Sequence, residues 1–345
     1  MKTIRLTIIS AFIMFANFTF AQTGTSKYQI ADKIHLEGDG GWDYLNLDDA
    51  TSRLFISHAN VVQVLDINTK KLVGTIHDTN GVHGIALAPE FNKGFISCEK
   101  DTSVVVFDMK TLSVIAKFKT SGPKPDAILY DPFSKKVFVF NRFGSSTDVI
   151  DPSSNNVIKT IQLPGKPEFS VTDFKGRVYV NLDNKNLLCA LNTAKLEVDQ
   201  SWSVLPGLKP SGLAIDLVNN RLFSVCDNKL MVVVNATDGK VVSQVEIGEG
   251  VDGVSFDPQL KRAYSSNGGD GTITVVQQID ANNYKVIENI KVPEGAETNL
   301  LDTKTHTIYL PTAEFGEVPA ATEANPHPRA PIKSNTFMVL EVKPL

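Results

Sequence analysis

Asp43, His83, Asp126, Glu168, Ser211, Asp252 and Glu297 stand at one place in a unit that recurs along the chain, and five of these seven residues are acids. Carboxylates that converge on one point are what a hard cation needs, and an opposed pair of them can serve as general acid and base. Asp43, Asp126, Glu168, Asp252 and Glu297 therefore form the candidate metal set, for calcium, magnesium or zinc, with His83 and Asn267 within reach. His58 and Asn267, which end the second strands of their units, join the ring as candidate ligand-binding residues. Such a ring is costly, because two carboxylates about 8 Å apart repel by roughly 2 kcal/mol at an effective dielectric of 20. Lys124, Lys166 and Lys209 lie two residues before the ring position in units three to five, each in a Lys-Pro dipeptide, where the other units carry Gly41, Gly81, Gly250 and Gly295. Local pairing with these lysines would make the acids structural, with no ligand required. The same lysines, with Arg329 above them, would make one side basic and the other acidic, which suits a zwitterionic or acid-bearing small molecule.

The elements that must position these residues are short strands. Residues 252–276, DGVSFDPQLKRAYSSNGGDGTITVV, read as three strands separated by an Asp-Pro turn and a Gly-Gly-Asp-Gly hairpin. Aligned on the aromatic of the second strand, the units place Phe55, Phe95, Phe138, Tyr179, Phe223, Tyr264 and Tyr309 at steps of 40, 43, 41, 44, 41 and 45 residues. A period of this length with three to four strands per unit is the signature of a propeller blade, and helical 3.6 periodicity is absent. Most third strands end in Asp or Asn, at Asp66, Asp108, Asp151, Asn192 and Asn235, which fold onto the next turn.

The expected fold is an all-β, seven-bladed propeller with four-stranded blades over residues 30–345, behind a signal peptide at 1–21 and a short leader at 22–29. The last unit lacks a fourth strand, and the isolated strand at 30–36 is expected to supply it, leaving no open sheet edge. In a blade the inner strand starts on the face where the second strand ends, so the ring residues and the loops after the second strands share one channel mouth. Residues 314–333, rich in Pro and Ala and carrying His327 and Arg329, are too long for a hairpin and too proline-rich for a strand, and are expected to cover that face.

Phe138-Val139-Phe140-Asn141, Tyr179-Val180-Asn181 and Tyr264-Ser265-Ser266-Asn267 resemble degenerate copies of the Tyr-Val-Thr-Asn signature, and residues 271–276 resemble the strand that follows it. The chain is similar in this to the YVTN-repeat, YncE-like propellers. The resemblance implies a seven-bladed exported propeller and assigns no catalytic residues.

Composition excludes other classes. A formal charge of −4 and a pI near 5.9, with no basic run, argue against nucleic acid as partner. Lys2 and Arg5, an apolar stretch at 6–20 and Thr19-Phe20-Ala21 make an export signal, because about 15 apolar residues fall short of the roughly 20 that span a bilayer. The mature chain is expected outside the cytoplasm, unanchored and monomeric. Cys98, Cys189 and Cys226 lack metal or haem spacing and fall on the second, fourth and fifth units, so free thiols are expected. The histidines show no metal-binding spacing, and no GxSxG occurs. Two functions remain: binding of a small ligand or a partner protein at the channel mouth, or metal-assisted hydrolysis of a lactone or sugar-like substrate, or a lyase reaction, at the acidic ring.

Overall fold

The computed structural model describes residues 27–322 and 328–345; the segment expected to be a signal peptide, most of the expected leader and His327 lie outside the described residues. Seven four-stranded antiparallel sheets stand in a ring, each running from an inner strand at the channel to an outer one. In the first blade these strands are Trp42–Asp48, Arg53–His58, Val61–Asp66 and Lys71–Ile76. The seventh sheet has the order Leu300–Asp302, Thr307–Thr312, Met338–Pro344 and Tyr28–His35, so its outermost strand comes from the other end of the chain. Among the described residues helical turns occur only as short 3-10 turns, and no helix is long and apolar enough to cross a membrane.

The repeat aromatics explain why the ring holds together. Phe55, Phe95, Phe138, Phe223 and Tyr264 are fully buried, Tyr179 and Tyr309 nearly so, and each fills the space between adjacent sheets. Burying one such side chain contributes about 2–3 kcal/mol, and the unit repeats that gain around the ring. Turns are set locally: Asp66 Oδ1 accepts from the amides of Asn68 and Thr69, both at 2.9 Å, and Asp108 Oδ1 from those of Lys110 and Thr111. Asn192 and Asn235 do the same in their blades, as the sequence pattern requires. All three cysteines are free and buried.

One irregularity bears on the site. In six inner strands the pairing register slips beside the ring residue, between Trp42 and Leu45, Val82 and Ile85, Pro125 and Ile128, Pro167 and Ser170, Pro210 and Leu213, and Val251 and Gly253. A bulge re-aims the side chain it contains. Here it turns the ring residues toward the channel axis.

Candidate functional site

Second-strand hydroxyls and amides fix the ring from behind. Ser57 Oγ donates to the His83 carbonyl of the next blade, Ser97 Oγ to that of Asp126, Asn181 Nδ2 to that of Ser211 at 3.0 Å, and Ser266 Oγ to that of Glu297 at 2.7 Å. Thr298 Oγ1 donates to the Asp43 carbonyl at 2.7 Å and links the seventh blade to the first. The backbone at His83, Asp126, Ser211, Glu297 and Asp43 is thus tied to a neighbouring blade.

Directly beneath the ring, the next inner-strand position reads Tyr44, Gly84, Ala127, Phe169, Gly212 and Gly253 in the first six blades. Tyr44 and Phe169 reach across the channel and stack with centroids 4.8 Å apart and planes inclined by 26°. The small residues are required by close packing: a Cβ at Gly212 would stand 2.6 Å from the Asp252 carbonyl oxygen. The aromatic pair divides the channel. Above it lies a polar cavity of about 530 Å³, and below it one of about 340 Å³ with apolar walls that include Ile85, Ile128 and Leu213.

The upper cavity gathers Asp43, His83, Asp126, Glu168, Asp252 and Glu297 with Lys124, Lys209, Ser211 and Arg329. Three residues placed in the site by sequence are elsewhere. His58 is buried in the first blade, where Nδ1 meets Gln63 Oε1 at 3.1 Å and the ring stacks on Phe337 at 3.8 Å. Asn267 is buried in the sixth, donating to Thr272 and Thr274 at 3.0 and 2.9 Å. Both end their second strands, and strand alternation points such side chains into the blade rather than the channel. Lys166 does not line the cavity and lies over the Phe143 ring, 5.0 Å from its centroid.

The lysines also fail to neutralise the ring. Lys124 pairs with Glu99 at 3.0 Å and Lys209 with Asp227 at 3.0 Å. Glu168 is held instead by Arg142, which also meets Asp183 at 2.7 Å. Glu99, Arg142, Asp183 and Asp227 all occupy one register position, the residue after the second strand, and form an upper tier above the ring. Their carboxylates cancel the basic side expected for blades three to five. Reading that register position across the units would have found them; the eye goes instead to the acids because only those repeat in type.

Asp43, His83 and Asp126 form the tightest cluster, with one ligand atom from each lying within 4.8 Å of the others. His83 Nδ1 meets Asp43 Oδ2 at 2.5 Å, its Nε2 meets Glu99 Oε2 at 2.5 Å, and Asp126 Oδ1 stands 3.6 Å from Nδ1. Carboxylates at this separation repel by roughly 3 kcal/mol at an effective dielectric of 20, which a charged His83 offsets. Burial pulls the His83 imidazole down, but Asp43, Asp126 and Glu99 outweigh it and raise it to about 9. Burial pushes Asp43 up to about 7 against its bond from His83, and raises Asp126 as well. Asp252 rises to about 6 through burial, opposed by the hydroxyl of Ser211, which donates to its Oδ1 at 2.9 Å. Glu297 opens onto the cavity yet is crowded by protein around its stem, and that crowding together with Asp252 lifts it to about 7. Burial and Asp126 push Glu168 upward despite Arg142.

The long loop is pinned at its base. Phe315 and Ile332 form an antiparallel bridge, Gly316 N donates to the Pro331 carbonyl at 2.8 Å, and Phe315 packs edge-on against Trp42 with centroids 6.1 Å apart. Beyond the bridge, Arg329 lines the polar cavity and an adjoining one of about 590 Å³ between the loop and Gly41, Gly250, Gly268 and Gly295.

No family model matches the chain. It is weakly homologous to the "Uncharacterized protein YncE" of Salmonella typhi, 27% identical over 149 residues, and to that of Salmonella typhimurium at 26%. These alignments cover 41% of this chain, and the chain spans 42% of the length of the curated relatives it matches. Among solved structures, the Kuenenia stuttgartiensis hydrazine synthase covers 80% of this chain and 94% of its own at TM-score 0.67 and 16% identity. The RRP9 WD40 repeats cover 91% and 98% at TM-score 0.74 and 7% identity. The chain is thus a seven-bladed β-propeller with YncE-like sequence, and at these identities the solved structures speak to fold alone.

Proposed function

We propose that the chain is an exported, monomeric binding protein whose channel mouth takes a small ligand through a cationic group, at Asp252 and Glu297. The observation that carries this reading is the pair itself. Asp252 and Glu297 sit on adjacent blades, joined through the bond from Gly253 N to the Glu297 carbonyl at 2.7 Å. Neither forms an ion pair among the described residues, whereas Glu168 and Glu99 each have a fixed cation. A cationic group seated there would relieve their mutual repulsion, with the Tyr44 ring, backed by Phe169, as a floor for an apolar body. Arg329 on the loop could meet an acidic group on the same molecule, which supports a zwitterion.

The test is a thermal-shift and calorimetric panel of putrescine, agmatine, arginine and betaine against the chain from residue 22 onward, beside matched anions. A cation should raise the melting temperature, and the double variant Asp252→Asn, Glu297→Gln should abolish that rise. Stabilisation by anions alone, or equal stabilisation of the double variant, would overturn the reading. Metal-assisted hydrolysis or lyase chemistry would need a Lewis acid beside this pair.

A further inference from the structure

Asp126 is 6% exposed, and its carboxylate faces the polar cavity without a hydrogen-bond donor among the described residues. Its nearest charged nitrogen, His83 Nδ1, is 3.6 Å away and already engaged with Asp43 at 2.5 Å. A buried carboxylate left without a donor marks a place where something else supplies the missing partner. Around that point, three ligand atoms from Asp43, His83 and Asp126 lie within 4.8 Å of one another. Ligands bound at about 2.0–2.2 Å around zinc stand roughly 3–3.5 Å apart, so only a small rearrangement separates this trio from a coordination shell.

The far side of His83 is built in the same sense. Nε2 meets Glu99 Oε2 at 2.5 Å, and Lys124 holds the other Glu99 oxygen at 3.0 Å. Metal-binding imidazoles characteristically give their second N–H to a carboxylate, which fixes ring and tautomer. We propose that Asp43, His83 and Asp126 bind a divalent transition metal, zinc in the first instance, with Glu99 as the positioning residue. On binding, the Nδ1 proton leaves to solvent while Nε2 keeps its proton toward Glu99. An imidazole nitrogen with two carboxylates favours zinc or manganese over calcium, which prefers six to eight oxygens. The metal site rests on the mouth being a binding site, but not on the identity of the organic ligand.

Chelator-treated chain from residue 22 onward is titrated with zinc, manganese, calcium and magnesium by calorimetry and thermal shift, with no organic ligand present. Zinc should bind with one-to-one stoichiometry and raise the melting temperature, and calcium and magnesium should do far less. Asp126→Asn should weaken zinc by about 100-fold or more, and Glu99→Gln by about 10–100-fold while leaving stoichiometry unchanged. Asp252→Asn, which removes the proposed organic-cation contact, should leave zinc affinity in place, so failure of either site is seen separately. Should Asp126→Asn not fold, zinc-dependent displacement of the His83 imidazole resonances in the parent decides instead. No zinc-induced shift of those resonances, or equal zinc affinity in parent and Asp126→Asn, overturns the site.

Discussion

The mouth of the channel has two unlike halves. In blades two to five the residue after the second strand is charged, at Glu99, Arg142, Asp183 and Asp227; in blades six, seven and one it is Gly268, Ala313 and Ala59. Two residues before the ring, blades three to five carry lysines where the others carry glycine. The charged half satisfies itself: Glu168 and Asp183 share Arg142, and Glu99 is held by Lys124. The small-residue half leaves Asp252 and Glu297 without cations and makes space for the loop. A Cβ at Gly295 would come within 2.6 Å of the Phe315 ring, so that glycine and the loop imply each other. Apart from Asp126, whose carboxylate has no donor, the charged half is therefore paired before an organic cation binds, and the other half is arranged to respond.

The largest test of this contrast acts on the strand that borders the responsive half. Removing residues up to Leu36 strips Tyr28–His35 from Met338–Pro344 and exposes a long edge. Stability should fall by several kcal/mol, with hydrogen exchange accelerating first in Met338–Pro344. Melting within a degree or two of the parent would show that this strand carries little.

Arg142→Ala addresses the self-sufficient half. It leaves Glu168, 9% exposed, and Asp183 without their shared cation, and should cost about 2 kcal/mol in chemical denaturation. That is below the range for a fully buried pair because Arg142 remains 28% exposed. Arg329→Ala, on the exposed loop, should change stability within the error of the measurement. Equal effects would erase the distinction between the halves.

A pH series sharpens it further. Asp252 at about 6, and Asp43 and Glu297 at about 7, all bind their protons more tightly folded than unfolded. Their contribution is fully present below the unfolded value near 4 and is lost as pH rises through about 6–7. His83, raised to about 9, loses its contribution as pH climbs from about 6.5 through 9. The melting temperature should therefore decline between about pH 5 and pH 9, and Asp252→Asn with Glu297→Gln should flatten the lower part of that decline. A melting temperature rising over this window would contradict the assignment.

The smallest effect is expected from the loop itself. Replacing residues 317–330 by two glycines keeps the Phe315–Ile332 bridge and should shift the melting temperature by no more than about 2 °C. It should weaken a zwitterionic ligand and leave a simple diamine unaffected, because only the former needs Arg329.

The ring was legible because one strand register repeats and five of its seven residues share a charge. The upper tier was not, since Glu99, Arg142, Asp183 and Asp227 share a position but neither type nor sign. His58 and Asn267 went astray for a geometric reason. The strand-end residue points into the blade, so His58 stacks on Phe337, while the residues that follow the second strands of blades three to five, Arg142, Asp183 and Asp227, line the mouth.

By itself the sequence determined the period, the number of blades, the aromatic core and which residues open each inner strand, because these depend on alternation and turn chemistry within one unit. Only the tertiary structure decided which charges meet. Arg142 and Glu168 come from successive blades, Tyr44 and Phe169 from blades across the channel, and Asp126 lies beside His83 because adjacent bulges bring them there. Such pairings arise when the ring closes and every inner strand is turned toward one axis, a condition that no single unit contains.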